Sequence, residues 1–141
     1  MKYYAVIDTN VLVSAMLNHT SLPGRVVTEA IAGDIIPLYN DEILAEYGDV
    51  LSRAKFKFDR GAVGLLLEAV IQRGIPVDAG PVEEMLPDPT DAVFYAVTME
   101  KRKQGEAYLV TGNQRHFPTR SFVVTPREMV ELMEKDAAEG R

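Results

Sequence analysis

Three stretches of this 141-residue chain carry carboxylates at places where a fold could bring them together. Asp8 directly follows the apolar run Tyr3-Tyr4-Ala5-Val6-Ile7. Glu46 lies in a segment whose apolar stripe is Ile43, Leu44, Tyr47, Val50 and Leu51. Asp88-Pro89-Thr90-Asp91 precedes a long apolar-periodic segment, and Thr111-Gly112-Asn113, after Ala107-Tyr108-Leu109-Val110, adds hydroxyl and amide oxygens. Carboxylates packed close together repel, and their pKa values rise unless a cation neutralises them. The chain has no cysteine and only two histidines, His19 and His116, which are far apart in sequence. Oxygen donors of this kind suit Mg²⁺ or Mn²⁺ rather than zinc. A cation in such a cluster is the usual means of directing water against a phosphodiester.

Each piece also has a plainer explanation. Asp8 or Asn10 could simply cap the following helix. At about 100° per residue, Glu42 and Asp49 fall nearly opposite the apolar stripe, whereas Glu46 falls on its margin, where a glutamate can be solvated or reach the core edge. Asp88 at the cap, Pro89 at the first helical position and Asp91 bonding back would make a capping box. Thr111-Gly112-Asn113 reads as a turn. The functional reading gains force from the set, because every piece sits at the end of a strand or on a helix that could follow one.

The elements that must position these residues alternate. Tyr3 to Asp8 and Ile35 to Tyr39 read as buried strands, with shorter ones expected at Ile75 to Val77, Ala107 to Val110 and Phe122 to Val124. Between them the spacing predicts helices from Asn10 to about Leu17, Leu22 to Ala32 with Gly33 as its stop, Asn40 to about Arg53, Asp59 to Gly74, and Asp88 to about Lys103. A last helix starts at Thr125-Pro126-Arg127-Glu128 and buries Met129, Val130, Leu132 and Met133. With no repeat, low-complexity tract or linker, residues 1–141 are expected to form one α/β domain with a mainly parallel sheet. Such sheets place their sites at the carboxyl ends of the strands.

Composition narrows the alternatives. A hydrophobic fraction of 47% and a charged fraction of 26% are those of a globular chain. The net charge of −6 argues against holding nucleic acid through bulk positive charge, although acids that bind metal count toward that total. No apolar run reaches membrane-spanning length. The apolar N-terminal run is too short, and its acid too early, for a signal peptide, so a soluble cytoplasmic protein is expected.

Together, Val6-Ile7-Asp8-Thr9-Asn10-Val11-Leu12-Val13-Ser14, Glu46-Tyr47-Gly48-Asp49-Val50-Leu51, Asp88-Pro89-Thr90-Asp91 and Leu109-Val110-Thr111-Gly112-Asn113 resemble the PIN-domain family of metal-dependent nucleases. The Glu46 segment and the Val110-Thr111-Gly112 strand end look most like its branch of toxin components of toxin–antitoxin pairs (VapC-like). The resemblance implies a three-layer α/β/α sandwich with a central parallel sheet and Mg²⁺ or Mn²⁺ in an acidic crevice. It makes Asp8, Glu46 and Asp91 the catalytic and metal-binding residues and Asp88 a fourth acid or a cap. Thr9 and Asn10 would orient Asp8 or a water, and Thr111 would contact metal-bound water or phosphate. The family often has an aspartate where this chain has Asn113, which removes a charge from the site.

The same resemblance implies in-line hydrolysis of RNA, leaving a 5′-phosphate and a 3′-hydroxyl, and suggests an antitoxin partner and a homodimer. RNA would approach along a local basic rim drawn from Arg53, Lys55, Lys57, Lys101, Arg102, Lys103, Arg115 and His116, although a run such as Lys101 to Lys103 also suits a helix C-terminus. The competing reading is a PIN scaffold that binds RNA or a protein without cutting, and Asn113 points that way. An aspartyl phosphatase would want Asp-x-Asp where this chain has Asp8-Thr9-Asn10. A dinucleotide-binding domain would want a Gly-x-Gly-x-x-Gly turn that is missing here.

Overall fold

The computed structural model describes residues 2–140. Five strands form one sheet in the order β3-β2-β1-β4-β5, and every neighbouring pair is parallel. They are β1 Tyr3–Ile7, β2 Ile35–Tyr39, β3 Ile75–Pro76, β4 Tyr108–Val110 and β5 Val123–Val124. The helices are α1 Thr9–Leu17, α2 Leu22–Ala32, α3 Asp41–Leu51, α4 Arg60–Arg73, α5 Ala92–Arg102 and α6 Pro126–Ala138. The architecture is the expected α/β/α sandwich, with a sheet that is wholly parallel.

The layering follows from chain direction. Right-handed crossovers that step from β1 to β2 to β3 lay their helices on one face, and the return from β3 to β4 lays α5 on the other. Accordingly α2 packs on β2 and α6, while α5 packs on β1, β4 and β2. Because β1 is covered on both faces, Ala5, Val6 and Ile7 are buried without polar alternation.

Most helix boundaries lie where the sequence places them, because their caps are side-chain hydrogen bonds. Asn40 Oδ1 accepts from the Ile43 N–H at 2.9 Å, Asp59 Oδ2 accepts from the Ala62 N–H at 2.9 Å, and Thr125 and Glu128 form a reciprocal capping box. Gly33 leaves α2 at φ 100°, in the left-handed region that glycine enters freely.

Two starts differ from expectation. At α1 the cap position is held by Asp8 rather than Asn10, yet the Asp8 side chain makes no capping bond. At α5 the helix begins at Ala92, behind a 3-10 turn at Pro89–Asp91. There Asp88 Oδ1 accepts from both the Thr90 N–H and the Thr90 hydroxyl, at 3.0 and 2.8 Å, and this tight local bonding replaces the capping box expected with Asp91.

Among the described residues no helix is long and apolar enough to cross a membrane. In the first turn of α2, Gly24 lets the α1–α2 connection pass close, since an added β-carbon would lie 2.2 Å from the His19 carbonyl oxygen. Gly24→Ala should therefore destabilise the fold by about 2 kcal/mol in urea denaturation; an unchanged midpoint would mean that the turn yields freely.

Candidate active site

The strand order reverses between β1 and β4, so the connections leaving these neighbours turn to opposite sides and open a crevice at their carboxyl ends. The last rung between them is the Asp8 N–H donating to the Val110 carbonyl at 2.9 Å. Around it, side chains take up the backbone groups that the diverging strands leave behind. The Tyr47 hydroxyl of α3 donates to the Ile7 carbonyl, and Asn10 Oδ1 of α1 accepts from the Gly112 N–H at 3.1 Å.

Asp8 lies at the bottom of this opening, 6% exposed. The Thr111 hydroxyl donates to its Oδ2 at 2.8 Å, and the Asn113 N–H donates to Thr111 Oγ1 at 3.0 Å. Burial pushes the Asp8 carboxyl from the ordinary 3.8 up to about 6. The Thr111 hydroxyl and the Thr9 backbone amide oppose that rise, while the charges of Asp91 and Glu46 add to it. Glu46 is half-buried in α3 and accepts a hydrogen bond from the Thr9 hydroxyl. Next to it, Tyr47 is 2% exposed, and burial followed by the charges of Asp8 and Glu46 drives its phenol pKa upward, so the group stays a donor.

Asp91 enters from the opposite side, at the end of the 3-10 turn. Burial and the neighbouring Asp88 charge raise its carboxyl above the usual range, His116 lowers it and Glu46 raises it further. His116 Nδ1 is 3.4 Å from Asp91 Oδ2, and Asn113 Nδ2 is 3.0 Å from His116 Nε2. Asp88 is exposed, and its hydrogen bonds with Thr90 hold its carboxyl below the usual range.

Asp8, Glu46 and Asp91 thus meet at one crevice, with Asp88 beside Asp91. Thr111 contacts Asp8 directly. Thr9 divides its groups, its amide going to Asp8 and its hydroxyl to Glu46. Asn10 braces Gly112 rather than orienting Asp8, because its side chain closes the gap between α1 and the β4 loop. Asn113 acts through its backbone on Thr111 and through its amide on His116.

Sequence reading gave no site role to Tyr47 and placed His116 only on the rim. His116 reaches Asp91 because a 3-10 turn at Gln114–His116 follows the carboxyl end of β4. Tyr47 sits beside Glu46 on the buried stripe, where only its hydroxyl marks it out.

The basic rim also changes. Lys101, Arg102 and Lys103 end α5 near the amino ends of β1 and β4, because α5 starts at the crevice and runs roughly 16 Å away from it. Arg102 donates to the Ala107 carbonyl at 2.7 Å, Lys101 lies 4.6 Å from the Tyr4 ring centre, and Lys103 pairs with Glu100.

Among the described residues no three His, Asp or Glu side chains enclose a cation site as they stand. Glu46 is turned onto Thr9 and Asp91 onto His116. The donor chemistry nevertheless fits a hard divalent cation. Asp8 is buried, ionises against two neighbouring carboxylates and has a fixed oxygen aimed into the crevice, a charge imbalance that a cation relieves.

Residues 4–115, which include every carboxylate of the crevice, match the sequence profile described as PIN domain. No curated protein matches the chain.

A raised Asp8 pKa stabilises the fold fully below about pH 3.8, and that contribution is lost as the pH rises through about 6. Without divalent cations, Asp8→Asn should be more stable than the parent at pH 7.5 by on the order of 2–3 kcal/mol, with the gap closing toward pH 4. Urea titrations across that range test this; a gap that does not depend on pH would contradict the assignment.

Proposed function

The chain belongs to the PIN-domain family, and from that membership we propose that it is a Mg²⁺- or Mn²⁺-dependent ribonuclease serving as the toxin of a toxin–antitoxin pair in the cytoplasm. PIN domains are generally nucleases, and the observation that carries the finer reading is the Asp8 carboxyl, buried at the sheet's reversal point between Glu46 and Asp91. Those three residues would hold the cation. When bound, it supplies positive charge against the carboxylates and against the charge that develops on phosphate.

The chain's own groups do the positioning. Thr111 fixes an Asp8 oxygen, the Thr9 hydroxyl holds Glu46, and the pair His116 and Asn113 steers Asp91. Tyr47 ties α3 to the end of β1, so Glu46 keeps its place relative to Asp8. By the family's chemistry, water would attack the phosphodiester and the 3′-oxygen would leave, giving a 5′-phosphate and a 3′-hydroxyl. A small antitoxin and a second copy of the chain are the partners this reading brings with it.

A second reading, a PIN scaffold that binds RNA or protein without cleaving, is favoured by Asn113. Its amide is engaged by His116 and contributes no charge to the crevice. Calorimetric Mn²⁺ titration beside a cleavage assay separates the two, because only the nuclease reading requires both signals.

With Mn²⁺ and single-stranded RNA, Asp8→Ala and Asp91→Ala should each lower cleavage by roughly a hundredfold or more, comparable to the loss of a principal electrostatic group in other enzymes. Chelation should abolish it. Full activity in both variants removes the site assignment.

A further inference from the structure

The turn joining α3 to α4 has a composition unlike the rest of the chain. Residues 53–60 hold four cations, Arg53, Lys55, Lys57 and Arg60, and a single acid, in a protein of net charge −6. That acid, Asp59, is occupied in capping α4. Two aromatic rings interleave the cations. Phe56 and Phe58 lie with centroids 5.2 Å apart and planes within 8° of parallel, and Lys55 Nζ is 5.1 Å from the Phe56 centre. Lys57 between them adopts φ 56°, the one non-glycine residue with positive φ among the described residues. That conformation is unfavourable for a side chain bearing a β-carbon and belongs to the turn that sets the two rings together.

Beside the rings is an open hollow of about 350 Å³. Its floor is apolar, made of Leu51, Val63 and the half-buried Phe58, and Arg53, Lys57 and Arg60 stand exposed around it. Of these three, Arg53 makes an ion pair, with Asp49 at 3.3 Å on the exposed side of α3. The Phe58 ring beside Leu51 and Val63 suits the face of a nucleobase, and a cationic rim suits the phosphates on either side of it. An acidic peptide would use the rim and leave the Phe58 ring idle.

We propose that this hollow binds one nucleotide of a single-stranded nucleic acid and holds the strand for the acidic crevice. The ligand class rests on the nuclease reading; the site does not, since none of its residues belongs to the crevice. The two are joined through α3, which runs roughly 8 Å from Glu46 to its last residue, Leu51, with Arg53 two residues beyond, a span that a short strand can cover.

The test is fluorescence anisotropy of a labelled twelve-residue oligouridylate with the full chain in EDTA, so that binding is read without cleavage. The Lys57→Gln/Arg60→Gln pair should weaken binding at least tenfold and reduce the slope of log affinity against log salt by about 1.4, two cations' worth for a single strand. Phe58→Leu, which keeps the apolar volume and removes the ring, should weaken binding at least about fivefold with little change of slope. Lys103→Gln/Lys135→Gln, carrying the same charge change elsewhere, should stay within twofold.

Parent-like binding by the first pair, or equal weakening by the control pair, overturns the proposal. So does polyglutamate competing as well as the oligonucleotide while Phe58→Leu binds normally, which would make the turn a general polyanion site. If oligonucleotide binding depends on the hollow but no metal supports cleavage, the hollow stands and the nuclease reading falls. If cleavage occurs and is indifferent to the hollow variants, the nuclease reading stands and the hollow falls.

Discussion

Neighbouring strands β1 and β4 part company just beyond the bond from the Asp8 amide to the Val110 carbonyl, and the groups released there organise the surrounding structure. The Ile7 carbonyl needs a donor and takes the Tyr47 hydroxyl, which fixes the middle of α3 over the end of β1. The Gly112 amide needs an acceptor and takes Asn10, which fixes the β4 loop to α1. Asp8 needs a donor for its carboxylate and takes Thr111. Three elements remote in sequence are locked around one opening because a parallel sheet whose strand order reverses must lose its ladder there.

Hydrogen bonding is complete at this opening, whereas charge balance is not. Among the described residues no buried side-chain nitrogen or oxygen lacks a partner. Burial together with two facing acids still pushes the Asp8 carboxyl up to about 6, because the hydrogen bond from Thr111 offsets only part of that rise. A site that failed in hydrogen bonding could be repaired by water. One that fails in charge needs a proton or a cation, which is a more specific demand and the kind that functional sites retain at a cost to stability.

What the sequence revealed and what it concealed follow one division. Boundaries set by residues a few positions apart were legible: Ser21 before α2, Asn40 before α3, Asp59 before α4 and Thr125 with Glu128 before α6 all cap through local bonds. The acids Asp8, Glu46 and Asp91 were legible as a set because each stands at an element end or on the margin of an apolar stripe. Roles that depend on a partner some thirty or more residues away were not. Nothing near Thr9 says that its hydroxyl serves Glu46, and nothing near Asn10 says that it serves Gly112. His116 was hidden for the same reason, since its relation to Asp91 exists only once β4 has been threaded beside β1. The cations ending α5 misled because the helix that starts beside Asp91 carries them to the amino ends of β1 and β4, away from the crevice.

The distribution of charge along α3 links the crevice to the rest of the surface. A pocket of uncompensated carboxylates repels any polyanion, so a phosphodiester reaching it must be held by positive charge placed outside the pocket yet within its electrostatic reach. Screening in physiological salt sets that reach at about 8 Å, close to the roughly 8 Å that α3 runs from Glu46 to its end at Leu51, just before Arg53. Cations much nearer would pair with the acids and discharge the site, as Arg53 already pairs with Asp49 on the outer face. Cations much farther away, such as those ending α5, are engaged with the protein's own backbone, rings and acids and lie beyond the screening distance. One helix that turns Glu46 and Tyr47 inward at its middle and hands on to a basic, aromatic turn at its end meets both limits. The acidic total of the chain is therefore compatible with a nucleic-acid substrate: four of its 21 acids stand at the crevice, and a cluster of positive charge follows directly on the end of α3.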